Sequence, residues 1–206
     1  MIAWFRYAVD LAQGSDPGLG RKISDLETKQ VDRSVAALEE ELSGMSADAL
    51  TFSEKAAALA EAKKKRASLL IEDARRRVER NPTDLQFRFE LGENLMQAGQ
   101  LRDALPELQR ARQNPNARLK AMNALGRCYR ELGMLDLAAK QLEEAAGEIM
   151  SMDAMKKDIV YNLGLVYEQM GETEKSLTCM KQIYEADYGY RDVASRVESS
   201  YTRGGP

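Results

Sequence analysis

LGENLMQAG at Leu91–Gly99, LGRCYRELG at Leu125–Gly133 and LGLVYEQMG at Leu163–Gly171 are one pattern written three times. Each opens on Leu-Gly, carries Leu95, Tyr129 or Tyr167 three residues after that Gly, and closes on a second Gly. Gly92, Gly126 and Gly164 fall inside helical patterns, where Gly costs about 1 kcal/mol relative to Ala, so close approach of another helix is the natural compensation. Gly99, Gly133 and Gly171 stand where a helix would end. The Leu-Gly pairs are separated by 34 and then 38 residues. A period of this size marks a stacked array in which each unit buries its apolar face against the next. The four extra residues fall in Glu148 to Asp153, which predicts a longer second helix or a longer exit loop in the middle unit.

Outside the repeats, Ser15-Asp16-Pro17 gives a helix start. The helix it opens is predicted to run to about Leu42, with Val31, Val35, Leu38 and Leu42 in heptad spacing. Ser43-Gly44 closes it. From Ala47 to Arg80 there is neither Gly nor Pro, and at ~1.5 Å per residue one helix would be roughly 50 Å long. The run Lys63-Lys64-Lys65-Arg66 interrupts its apolar stripe, so a single helix and two shorter ones are both open at this point. The two long segments read as an antiparallel hairpin over 15–81. Residues 1–14 read as a partial repeat helix, with Ile2, Phe5, Ala8, Val9 and Ala12 on one face, and the chain as the C-terminal piece of a longer array. Three units fill 82–190. A last helix, Arg191 to Tyr201, sets Val193 and Val197 on one side to cover the open end, and residues 191–206 form this cap and a tail.

Composition narrows the chemistry. The chain has 206 residues, 44% hydrophobic and 31% charged, with a net charge of -3. That balance gives no general attraction for nucleic acid or anionic membrane. There is no histidine, which removes imidazole acid-base catalysis and the commonest zinc ligand. Cys128 and Cys179 lie in different repeats and read as buried thiols in a reducing compartment. No apolar run is long enough for a membrane helix. No phosphate loop, metal-ligand spacing or nucleophile elbow occurs, so no cofactor and no enzyme activity are expected. Lys63 to Arg66 with Arg75, Arg76, Arg77 and Arg80 lacks interleaved aromatics and reads as a solvated helix face. Met150, Met152 and Met155 read as a locally buried loop.

The repeats resemble the tetratricopeptide repeat (TPR) family, in which a 34-residue helix-turn-helix has Leu-Gly at positions 7 and 8, an aromatic at 11, Gly at 15 and a small residue at 20. Ala104, Ala138 and Ser176 stand at 20, Leu108, Leu142 and Met180 at the bulky position 24, and Ala111, Ala145 and Ile183 at 27. Position 4, often Trp in the family, is Arg88, Met122 and Val160. The resemblance implies an all-α, right-handed α-solenoid of helical hairpins, with the long hairpin before it and the capping helix after it. It also implies a concave groove lined by positions 2, 5, 9 and 12: Gln86, Phe89, Glu93 and Met96; Lys120, Asn123, Arg127 and Arg130; Asp158, Tyr161, Leu165 and Glu168. The family's carboxylate clamp is not matched, since Phe89, Glu93, Ala124, Asp158 and Asn162 stand at its positions. The cationic middle unit, flanked by Phe89, Met96, Tyr161 and Leu165, suits a partner peptide or helix with an acidic centre and apolar anchors. The expected function is a non-catalytic, cytoplasmic protein-interaction scaffold. Architectural homodimerisation through the long helical hairpin, by the heptad seam at Val31 to Leu42 and the exposed stripe of the long helix, is the alternative.

Overall fold

A helix needs an apolar stripe to bury and a residue that lets the chain leave, and this sequence supplies both at short intervals. The computed structural model describes Trp4, Tyr7, Ala8, Leu11, residues 17–46 and residues 51–203. Among these residues the elements are all helices: α1 Pro17–Ser43, α2 Phe52–Arg80, α3 Leu85–Gln97, α4 Leu101–Ala111, α5 Arg118–Glu131, α6 Leu135–Gly147, α7 Ala154–Gln169, α8 Thr173–Ala186 and α9 Val193–Arg203. Most of the partial repeat expected over 1–14 lies outside the described residues. The chain divides into two compact units, residues 1–87 with 97–99, and residues 88–96 with 100–206.

In unit one, α1 and α2 pack against each other. Val31, Val35, Ile71 and Ala74 are the buried apolar side chains of the pair. Ion pairs run Glu41–Lys55 at 2.7 Å, Glu39–Lys63 at 2.7 Å and Asp32–Arg66 at 2.6 Å. Residue numbers fall along α1 as they rise along α2, so the helices are antiparallel. The helix α2 continues through Lys63 to Arg66 because two of those cations meet carboxylates of the facing helix and none is forced into the core. Such exposed pairs add little stability, about 0–1 kcal/mol each, but they set register. Asp84 then caps α3, its carboxylate accepting from Gln86 N at 2.8 Å.

One joint recurs three times along the hairpins. Gly99, Gly133 and Gly171 have φ of +74, +75 and +79°, a backbone state that favours Gly. In each the following N–H reaches back to close the helix: Gln100 N to Leu95 O, Met134 N to Tyr129 O and Glu172 N to Tyr167 O, all 2.9 Å. The mid-helix glycines admit the partner helix. A Cβ at Gly92 would lie 2.7 Å from Leu108 Cδ2, at Gly126 2.6 Å from Leu142 Cδ2, and at Gly164 2.6 Å from Met180 Cε. Positions 8 and 24 of the pattern therefore touch in every hairpin.

The longer second spacing has a specific origin. Both exit loops, 112–117 and 148–153, are of equal length; α6 is two residues longer than α4, and α7 begins two residues earlier in its repeat than α5. Asp153 makes the earlier start possible by accepting from Lys156 N at 2.9 Å. Met150 in this loop is 96% exposed, which corrects the expectation of a buried methionine loop at that residue, while Met152 and Met155 are half-buried and Ile149 is the loop side chain that enters the core. At the far end Val193 and Val197 of α9 are buried in the same core as α7 and α8. The capping helix starts at Val193 rather than Arg191, because Arg191 has φ +49° and cannot be helical.

Candidate functional site

The first helices of successive hairpins lie side by side, α5 against α7, so their equivalent positions form a stripe across unit two. On α5 the stripe is Lys120, Asn123, Arg127 and Arg130, at helical spacings of three, four and three. The opposite side of α5, with Met122, Leu125 and Cys128, is buried. The stripe lies between α3 and α7: the positive fields of Lys120 and Arg127 reach Glu93 on α3, while Asn123 Nδ2 donates to Asp158 Oδ2 on α7 at 2.6 Å. Partial burial outweighs those fields and raises the Glu93 carboxyl above its ordinary value.

The positive charges divide into two sets. Arg88 is paired with Glu107 at 2.8 Å, Arg118 with Glu148 at 2.6 Å, and Lys157 with Asp187 at 2.6 Å, while Lys156 donates to Ile149 O at 2.6 Å. Among the described residues Lys120, Arg127 and Arg130 make no hydrogen bond or ion pair with their side chains, and Arg130 Nη1 is buried without a partner. Buried donors are normally satisfied, and Arg130 Nη1 departs from that rule, whereas Lys120 is exposed and Arg127 half-buried.

Sequence positions 2, 5, 9 and 12 do not behave alike along the array. Phe89 and Met96 are 5% and 8% exposed, so they offer a partner little apolar area; Leu165 is half-buried and Gln86, in unit one, is exposed. In the third hairpin the chain's own C-terminal segment meets the stripe. Arg191 Nη2 donates to Asp158 Oδ1 at 2.5 Å, Tyr161 OH donates to Asp192 Oδ1 at 2.7 Å, and Arg196 pairs with Glu168 at 2.9 Å and Asp192 at 2.6 Å. The Arg191 guanidinium stands over the Tyr161 and Tyr190 rings at 4.5 and 5.1 Å, and Lys157 Nζ lies 5.4 Å from the Tyr190 ring. Repeat arithmetic misses Tyr190 because it closes the last unit away from positions 2, 5, 9 and 12, and misses Arg191, Asp192 and Arg196 because they lie beyond that unit. The alternating charges of the Tyr190-Arg191-Asp192 junction are the signal that could have found them. Asn162 also enters the site, Nδ2 donating to Asn123 Oδ1 at 2.9 Å.

No group of three or more Cys, Asp or Glu side chains among the described residues could hold a metal ion. Burial pushes the thiols of Cys128 and Cys179 up to about 11. A shift of this size from 9.0 lowers the thiolate fraction about 100-fold at neutral pH. In the folded chain both cysteines are therefore expected to resist iodoacetamide at pH 8 and to react promptly once urea unfolds it, a contrast that mass spectrometry reads directly.

Comparison with known proteins places this geometry. Residues 119–147 and 158–190 match the tetratricopeptide repeat, and the first hairpin, outside that match, has the same Gly92–Leu108 joint and the same left-handed Gly99. No curated protein matches the chain in sequence. Among solved structures it is similar in fold to MamA, at 20% identity over 70% of this chain and 82% of that one, with a TM-score of 0.58. It is likewise similar to YrrB, a TPR protein with an unusual peptide-binding site, at 21% identity over 95% and 97% of the two chains, with a TM-score of 0.58. Among the described residues no helix is long and apolar enough to cross a membrane.

Proposed function

We propose that this chain, whose middle and third hairpins are tetratricopeptide repeats, is a non-catalytic interaction scaffold holding an acidic segment of another protein on the stripe formed by α3 and α5. The observation that carries the reading is the set Lys120, Arg127 and Arg130, the cations on the first helices left without an intramolecular acceptor while Arg88, Arg118, Lys156 and Lys157 are all engaged. Along α5, Arg127 and Arg130 are about 4.5 Å apart in rise and Lys120 about 10 Å from Arg127, so a segment with two neighbouring carboxylates and a third further on fits best. The peptide-binding site of the YrrB neighbour gives the idea support at the level of fold. The buried free thiols suit a reducing compartment such as the cytoplasm. Self-association through the α1 seam has less support, since Val31 and Val35 are already buried.

The test uses fluorescence anisotropy with fluorescein-labelled dodecapeptides of equal length: one acidic, one neutral and one basic. The acidic peptide is expected to bind with a salt-sensitive Kd, and Arg127→Glu with Arg130→Glu to weaken it at least 30-fold, about 2 kcal/mol or more for loss of close charge pairs. Binding of the acidic peptide that survives both reversals, or equal binding of the neutral one, would count against the reading.

A further inference from the structure

The third hairpin carries a different kind of site from the second. Asp158 is held from behind by two buried amides: Asn162 donates to Asn123, and Asn123 donates to one carboxylate oxygen of Asp158. Burying two Asn side chains is costly unless both are satisfied, and here the chain of donors ends by aiming the second carboxylate oxygen outward. Tyr190 OH donates to that oxygen at 3.4 Å, and the Tyr190 and Tyr161 rings lie 6.1 Å apart at 74°. A carboxylate beside two aromatic faces is the environment that a planar guanidinium fills better than an ammonium. The group in it is the guanidinium of Arg191, bonded to Asp158 and lying over both rings. Its side chain is 45% exposed. Its backbone, at φ +49°, is the one positive-φ position outside Gly among the described residues, a state that side chains adopt rarely.

We propose that Asp158, Tyr161 and Tyr190 form an arginine-recognition site that Arg191 fills from within the chain, and that an arginine of a partner segment takes its place. A side chain tethered this close acts at millimolar effective concentration, so a lone arginine from solution loses the competition and only one carried by an otherwise bound segment wins. This goes beyond the proposed function: it concerns the third hairpin and does not need the cations of α5.

Arg191→Gly tests it, since Gly suits the positive φ while emptying the site. The probes are N-acetylarginine methylamide and its lysine counterpart, followed by NMR shifts of the tyrosine rings. The variant is expected to bind the arginine probe saturably in the millimolar range, at least fivefold tighter than the lysine probe. The unaltered chain should bind the same probe at least threefold more weakly than the variant, because the millimolar effective concentration of its own arginine adds to the Kd of the emptied site, and Asp158→Asn added to the variant should abolish binding. If circular dichroism shows that Arg191→Gly does not fold, Arg191→Lys replaces it, and its weaker internal cation should be displaced by the arginine probe. Equal response to both probes, no binding by either variant, or saturation of the unaltered chain like that of the variant would overturn the proposal.

Discussion

Leu142→Ala is expected to lower the stability of unit two by about 3–4 kcal/mol, Gly126→Ala by about 2 kcal/mol, and the two together by clearly less than the sum. Leu142 is fully buried, so its truncation loses transfer free energy and leaves a cavity. Gly126 faces it: an added Cβ would collide with the Leu142 side chain. Two opposing terms then act at position 126, a gain of about 1 kcal/mol in helix propensity and a larger overpacking cost. Removing Leu142 abolishes the collision and lets the new methyl occupy part of the cavity, so Gly126→Ala in the Leu142→Ala background should be nearly neutral. Gly147→Ala is the control, since nothing lies within 4 Å of a Cβ there, and it should change stability by less than about 0.5 kcal/mol. Urea unfolding followed by tyrosine fluorescence reads these values, because seven of the chain's eight tyrosines lie in unit two. Additive losses would mean that the recurring Gly does not seat its partner helix.

Asn123→Ala is expected to cost about 2–3 kcal/mol, more than a typical polar truncation. Asn123 and Asn162 are 6% and 5% exposed, and removing the first leaves the amide of the second without its acceptor and one Asp158 oxygen without its donor. Asn123→Asp separates shape from hydrogen bonding. It keeps the volume but sets two carboxylates against each other, raising the pKa of one of them. The folded form then binds a proton more tightly than the unfolded chain, so the loss should be full at neutral pH and recover as pH falls through that raised pKa. Stability curves at pH 7 and pH 5 read the difference; a loss independent of pH would place the cost in packing alone.

The hairpins were legible because their joints are local. A Gly that must sit against a bulky residue sixteen positions on, and a Gly that must leave the helix, recur at fixed offsets, and the structure shows Gly126 on Leu142 and Gly133 at φ +75°. The unequal spacing was legible in size but not in placement, because whether helix or loop absorbs extra residues depends on a cap such as Asp153. The site was read less completely. Periodicity treats each unit as equivalent, so it assigned Asp158, Tyr161 and Glu168 to the same face as Lys120 and Arg127. What separates them is pairing over about thirty residues with Arg191, Asp192 and Arg196, and no repeat rule carries that. Phe89 and Met96 illustrate the same limit: the repeat fixes which side of the helix they occupy, not how much of that side is covered.

The most direct measurement is amide chemical-shift mapping of the labelled chain during titration with the acidic dodecapeptide. Acidic-segment capture by the open cations of α5 requires the largest shifts at Lys120, Asn123, Arg127 and Arg130, smaller ones around Glu93, and none along the outer helices α4 and α6. Shifts clustered on those outer helices, or confined to residues 17–80 of unit one, would contradict it.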